Sequence, residues 1–90
     1  MLERQVRIVN SLGLHARAAA KLVRLAVEFE SEITLFRSDT GRRADAKSIL
    51  EILLLAVPTD SRLTIQIEGS DEQSALAAVV DIFDNGFGEN

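Results

Sequence analysis

Three stretches of the chain alternate apolar with polar residues, and between them lie stretches in which apolar residues recur every three or four positions. Strict alternation gives a strand one dry and one wet face, whereas the longer period gives a helix one apolar stripe. Strands of that kind call for a sheet covered on one side only. In residues 2–9, Leu2, Arg4, Val6 and Ile8 share a face opposite Glu3, Gln5 and Arg7. In residues 62–68, Leu63, Ile65 and Ile67 point inward and Thr64, Gln66 and Glu68 outward. Residues 32–36 form a further strand, with Phe36 on the polar side beside Glu32 and Thr34. That misfit predicts an edge position or a covering loop for Phe36. Residues 38–41 read as a turn into a short strand at 42–45.

The intervening segments carry helix signals. From Ala16 to about Glu28, Ala19, Leu22, Val23 and Ala26 form a stripe, with Lys21, Arg24 and Glu28 off it. Ser48-Ile49-Leu50-Glu51 fits a capping box, in which the serine accepts from a first-turn N–H and the glutamate reaches back; this second helix must stop before Pro58. Ser70-Asp71-Glu72-Gln73 repeats the pattern, followed by Leu76, Val79, Val80 and Phe83 and a C-cap at Asn85-Gly86. The expected order is β-α-β-β-α-β-α. The expected fold is an α+β open-faced sandwich, a four-stranded antiparallel sheet with three helices on one face, in a single domain spanning residues 1–90.

Composition narrows the function classes. A hydrophobic fraction of 47% supports a core, and no apolar run approaches the roughly 20 residues of a membrane span. The polar start lacks the apolar segment of a secretory signal, so a cytoplasmic location is expected. With no cysteine, thiolate catalysis, disulfides and Cys-type zinc sites drop out. A net charge of −4 counts against nucleic acid as the partner.

The single histidine, His15, stands in Gly13-Leu14-His15-Ala16-Arg17, immediately before the first helix. A helix N-terminus presents unpaired N–H groups and the positive end of the dipole, which together favour an anion. Arg17 adds a permanent cation whose planar fork suits phosphate oxygens, and the alanines at 16, 18, 19 and 20 leave room for a ligand. Neutral imidazole is a nucleophile, and the helix N-terminus disfavours the imidazolium form. One histidine without cysteine or nearby acids cannot complete a metal shell, so neither metal nor other cofactor is expected. No carboxylate or serine partners His15 at a spacing typical of catalytic sites, whereas a group that only passes on a phosphoryl needs less machinery.

The second helix is apolar nearly all round: Ile49, Leu50, Ile52, Leu53, Leu54 and Leu55 exceed the single stripe needed to cover a sheet. The surplus reads as a docking patch of Ile49, Leu50 and Leu53, rimmed by Arg17, Lys21, Arg24 and Lys47 and suited to acidic partners. Ser48 reads first of all as a helix cap.

In residues 10–20 (NSLGLHARAAA), 46–50 (AKSIL) and 68–72 (EGSDE), and in its order of elements, the chain resembles the histidine-containing phosphocarrier family, HPr, of the bacterial phosphoenolpyruvate-dependent phosphotransferase system. The closing residues 83–89 also look like chain ends of the nitrogen-related branch, NPr. The resemblance implies a monomeric carrier rather than a stand-alone enzyme. His15 would take a phosphoryl group on Nδ1 from Enzyme I and hand it to an Enzyme IIA domain, with Arg17 as assisting cation and the amides of Ala16 and Arg17 as phosphate donors. Ser48 matches a serine that, in some members, is phosphorylated by a dedicated kinase, HPr kinase/phosphorylase. Ala18 departs from the usual proline, restoring a first-turn N–H without removing the phosphoryl site. A rival reading keeps the fold and surface but makes the chain a regulatory interaction module acting by binding alone. An acylphosphatase-like hydrolase has a similar length and element order but would need an arginine cradle with a water-positioning side chain, and no glycine-rich phosphate loop matches.

Overall fold

The computed structural model describes residues 1–89. Its elements follow the expected order: β1 (Leu2–Arg7), α1 (Ala16–Ala26), β2 (Glu32–Arg37), β3 (Arg42–Asp45), α2 (Ile49–Leu55), β4 (Arg62–Glu68) and α3 (Glu72–Asp84), then a 3-10 turn at Gly86–Gly88. The strands form one antiparallel sheet in the order β1-β4-β2-β3. Inward-facing Ile33, Leu35, Leu63, Ile65 and Ile67 share one buried cluster with Ala18, Ala19, Leu22 and Ala26 of α1, Ile52 and Leu55 of α2, and Ala75, Val79 and Phe83 of α3. All three helices therefore lie on one face of the sheet, because the alternation in the strands leaves only that face apolar.

The other face is polar and laced across the strands. Gln66 donates to Glu3 at 2.8 Å and accepts from the Arg43 guanidinium at 2.9 Å. Arg43 also lies over the Phe36 ring, 4.7 Å from its centroid. Phe36 is therefore neither at an edge nor under a loop: β2 runs between β4 and β3, and a cross-strand cation covers the ring. Arg4 shares the inward parity of Val6 and yet is exposed.

Two caps differ from expectation. Ser48 Oγ accepts from the Glu51 amide at 3.2 Å, as a capping box requires, but the Glu51 carboxylate accepts from the Asp45 amide at 2.9 Å and not from Ser48. The Ser48 amide already donates to the Asp45 carbonyl at 2.9 Å, so the glutamate's reciprocal bond goes to the preceding turn. At α3 the N-cap is Asp71 rather than Ser70, and its carboxylate makes no capping bond. It accepts instead from the amides of Glu30 and Ser31 at 2.9 and 3.0 Å and from the Ser31 hydroxyl, tying the start of α3 to the entry of β2. Glu72 turns back onto the Gly69 amide at 3.1 Å.

Helix α2 ends where Ala56 adopts a left-handed conformation at φ 55°. The Arg37 guanidinium donates to the carbonyls of Leu55 and Ala56 at 2.9 and 2.8 Å, answering acceptors that a helix C-terminus leaves unpaired. Asp39 grips the other edge of that guanidinium at 2.7 Å. This pairing raises the Arg37 pKa and lowers that of Asp39, in each case chiefly through the shared hydrogen bond.

Candidate functional site

The loop before α1 fixes the position of His15. Buried Asn10 donates from its side chain to the Gly13 carbonyl at 2.6 Å, and the Gly13 amide returns to the Asn10 carbonyl at 3.1 Å. Gly13 takes φ 68°, and a Cβ there would lie 2.6 Å from the Val57 carbonyl oxygen. Only glycine lets the loop pass this close to the segment leaving α2. The Leu14 amide then bonds the Val57 carbonyl at 2.9 Å, and buried Leu14 anchors the turn into α1.

His15 is the N-cap of α1, in an extended conformation, and its Nδ1 accepts from the Arg17 amide at 3.3 Å. A nitrogen that accepts carries no proton, so the ring proton sits on Nε2. Nε2 in turn lies 2.8 Å from Glu89 Oε1. In that tautomer the Nδ1 lone pair is aimed toward the first turn of α1. Arg17 is 71% exposed and able to move, with Nη1 3.8 Å from Glu89 Oε2. Lys21 holds the Phe87 carbonyl at 2.8 Å and stands 3.8 Å from the same carboxylate oxygen. The His15 hydrogen bond holds the Glu89 carboxyl below its usual range; desolvation opposes this, and the nearby charges, including Lys21 and Arg17, assist it.

Glu89 is the site residue that sequence reasoning missed. It lies 74 positions from His15, and no local pattern marks it beyond the glycines that allow its turn.

The docking residues fall into two groups. Ile49, Leu50, Leu53 and the additional Leu54 are exposed along α2, while Ile52 and Leu55 are in the core. Seven residues of helix cannot bury every side, and the sheet takes only one. The Gly13 loop abuts the C-terminal end of α2, so this surface begins beside His15. Arg24 is exposed in the last turn of α1. Lys47 donates to the Phe29 carbonyl at 2.8 Å, just beyond that turn, which places Lys47 and Ser48 at the end of α1 remote from His15. At about 1.5 Å per residue, the 11 residues of α1 separate the two ends by roughly 16 Å. No described helix is long and apolar enough to cross a membrane.

A histidine capping a helix N-terminus, on an open-faced sandwich with an apolar surface beside it, is an arrangement that suits a small carrier of anionic groups. The chain matches the family described as "PTS HPr component phosphorylation site" over residues 2–85. It is 46% identical over 89 residues to the phosphocarrier protein HPr of Cupriavidus necator, covering 99% of this chain and 98% of that protein. It is 38% identical over 89 residues to the phosphocarrier protein NPr of Escherichia coli, with the same coverage. A crystal structure of HPr from Thermoanaerobacter tengcongensis superimposes with a TM-score of 0.93 at 38% identity, over 100% of this chain and 99% of that one. The chain belongs to the HPr/NPr family and is a phosphocarrier of the phosphotransferase system.

Proposed function

We propose that His15 is the residue that carries the phosphoryl group, accepting it on Nδ1 from Enzyme I and passing it to an Enzyme IIA domain. The observation that carries this reading is the contact of the Arg17 amide with Nδ1, at 3.3 Å, which holds that nitrogen at the first turn of α1. The bond from Nδ1 to phosphorus forms as the donor's bond to phosphorus breaks, with the electron pair leaving on the donor. The Arg17 amide then turns from Nδ1 to a phosphoryl oxygen, joined by the Ala16 amide at the same helix end. The Arg17 side chain, exposed and linked only loosely to Glu89, swings onto the incoming oxygens. In the next transfer the imidazole is the leaving group, so the cycle runs in both directions. Positioning and charge supply most of the rate once a partner closes over the site, so the carrier alone need not be a catalyst.

The whole chain works as one domain and as a monomer in this reading. The exposed side chains of Ile49, Leu50 and Leu53 form the contact, with Leu54 beside them and Arg17, Arg24, Lys21 and Lys47 at the margins. Where a kinase of the HPr type is present, Ser48 is its target. A phosphate there would stand beside the carboxylates of Asp45 and Glu51, adding repulsion at the edge of the dock.

The test is incubation with phosphoenolpyruvate and a matching Enzyme I, followed by mass measurement. The expected result is a gain of one phosphoryl group that is labile to acid and stable to base, and absent from His15→Ala. Phosphorylation that survives in His15→Ala refutes the assignment. Retention of the full cellular effect by His15→Ala would establish the binding-only regulatory module instead.

A further inference from the structure

The β2–β3 hairpin carries three arginines, and the fold uses them unequally. The Arg37 guanidinium is engaged by Asp39 and by the carbonyls that end α2. Arg42 reaches the Leu54 carbonyl at 3.4 Å, and Arg43 meets the Gln66 amide oxygen and the Phe36 ring. Neither Arg42 nor Arg43 pairs with a carboxylate among the described residues. Both line a groove of about 200 Å³ between β3 and α2, together with Glu51, Leu54 and Leu55. The Glu51 carboxylate accepts from the Asp45 amide, which leaves two positive charges against one negative in the groove. Its apolar wall is Leu54, 62% exposed, standing beside buried Leu55.

This groove lies on the outer flank of α2. That helix packs against β3, α3 packs against β1, and α1 packs against both helices, so α1 occupies the middle of the helical layer and α2 its β3 side. With 3.6 residues per turn, successive side chains are about 100° apart, which sets Leu54 about 140° round the helix from Ile49. Ile49 and Leu53 thus border the buried side toward α1, and Leu54 borders it toward β3. A helix with its side chains is roughly 10 Å across. That width separates the groove from α1 and from His15 at its start.

Such a lining selects its occupant. At about 200 Å³ the groove is smaller than the roughly 300–1,000 Å³ of small-molecule sites, but it has room for a side chain. Leu54 offers that side chain an apolar contact, and the two guanidiniums offer a carboxylate planar forks for paired hydrogen bonds. A nucleic-acid backbone would gain nothing from the leucines, and the net charge of −4 opposes it. Arginine is, moreover, among the residues in which protein interfaces and their anchoring contacts are enriched. We propose that the groove between β3 and α2 is a docking site for a second protein, which enters it with a segment bearing a carboxylate next to a large apolar side chain. This goes beyond the carrier reading, which draws on the flank of Ile49 and Leu53. Because α2 stands between the two surfaces, the groove is filled while His15 stays open to its transfer partners.

The experiment titrates the ¹⁵N-labelled full chain with a six-residue peptide of alternating glutamate and leucine, following backbone amide and arginine Nε–H resonances. Saturable shifts at Arg42, Arg43 and Leu54 are expected, and raised salt should weaken the binding. Arg42→Gln and Arg43→Gln combined in one chain should weaken it about 5-fold or more, the loss expected when charge-assisted hydrogen bonds become neutral ones. Neither the double variant nor saturating peptide should change the rate at which Enzyme I phosphorylates the carrier. The proposal is overturned if the peptide does not saturate at millimolar concentration, or if its shifts are confined to Ile49, Leu53 and α1. Equal binding by a peptide with serine in place of leucine, or with lysine in place of glutamate, overturns it as well. So does inhibition of phosphorylation by the peptide, since the groove would then belong to the transfer surface.

Discussion

Replacing Gly13 by alanine tests whether the loop carrying His15 is set by close backbone approach. Two costs are separable. An L-residue at φ 68° is strained by about 1–2 kcal/mol. The new Cβ would also lie 2.6 Å from the Val57 carbonyl oxygen, 3.0 Å from the Thr59 nitrogen and 3.1 Å from the Pro58 carbonyl carbon, all main-chain atoms that cannot rotate aside. Overpacking of this kind costs about 1–3 kcal/mol, giving a total near 2–5 kcal/mol. Gly41→Ala is the internal control: φ is 75°, and nothing lies within 4 Å of its Cβ, so only the first cost applies. Both substitutions gain the same small amount from a less flexible unfolded chain, so the difference between them isolates the contact. At roughly 4–8 °C per kcal/mol for a domain of this size, the expected gap in Tm is on the order of 5–20 °C. Urea titration at constant m-value measures the same gap in free energy. Because the loop must retreat from Val57, the folded fraction of Gly13→Ala should also accept phosphate up to about 100-fold more slowly, the penalty of a misplacement near 1 Å. If Gly13→Ala is no less stable than Gly41→Ala, the close-approach account of the loop is wrong.

Two further outcomes follow from separate parts of the molecule. Leu50 is 64% exposed on α2, so Leu50→Ser should leave stability within about 0.5 kcal/mol while weakening transfer with Enzyme I and Enzyme IIA; a loss of stability without a loss of transfer would remove this helix from the dock. The Asp71 carboxyl sits below the usual range because it accepts first from the Ser31 hydroxyl and then from the Glu30 and Ser31 amides. Its contribution is therefore complete above the unfolded aspartate pKa of about 3.9 and fades as pH falls through the lower folded value. Asp71→Asn should be less stable at neutral pH, and its stability should converge on that of the unaltered chain in strong acid. Parallel curves from neutral to acid pH would contradict this.

The features legible in sequence are those with a local cause. Alternation in residues 62–68 reports which face of β4 is dry, because each side chain's direction depends only on its neighbours, and the structure places Leu63, Ile65 and Ile67 in the core accordingly. The apolar excess on α2 was equally visible, since a helix of this length has a fixed circumference. What stayed hidden depends on partners distant in the chain. Ser70 and Asp71 are both good caps in isolation, and the choice between them is made by Ser31, some 40 residues earlier. The place of Phe36 depends on strand order and on Arg43 across the hairpin. His15 announced an anion site through its helix, but the carboxylate that meets Nε2 arrives by way of Phe87 packing on Phe83, a contact that no spacing encodes.

The junction of His15 with Glu89 also has a consequence for biosynthesis. A ribosome adds about 5–20 residues per second, so the 74 positions between them take roughly 4–15 s to translate. For that interval the nascent chain displays a histidine without its carboxylate and an α1 without the tail that Lys21 clasps. Any product released early lacks both, however well its sheet has formed. The carrier site is thus closed only after every strand of the sheet and α3 have been made.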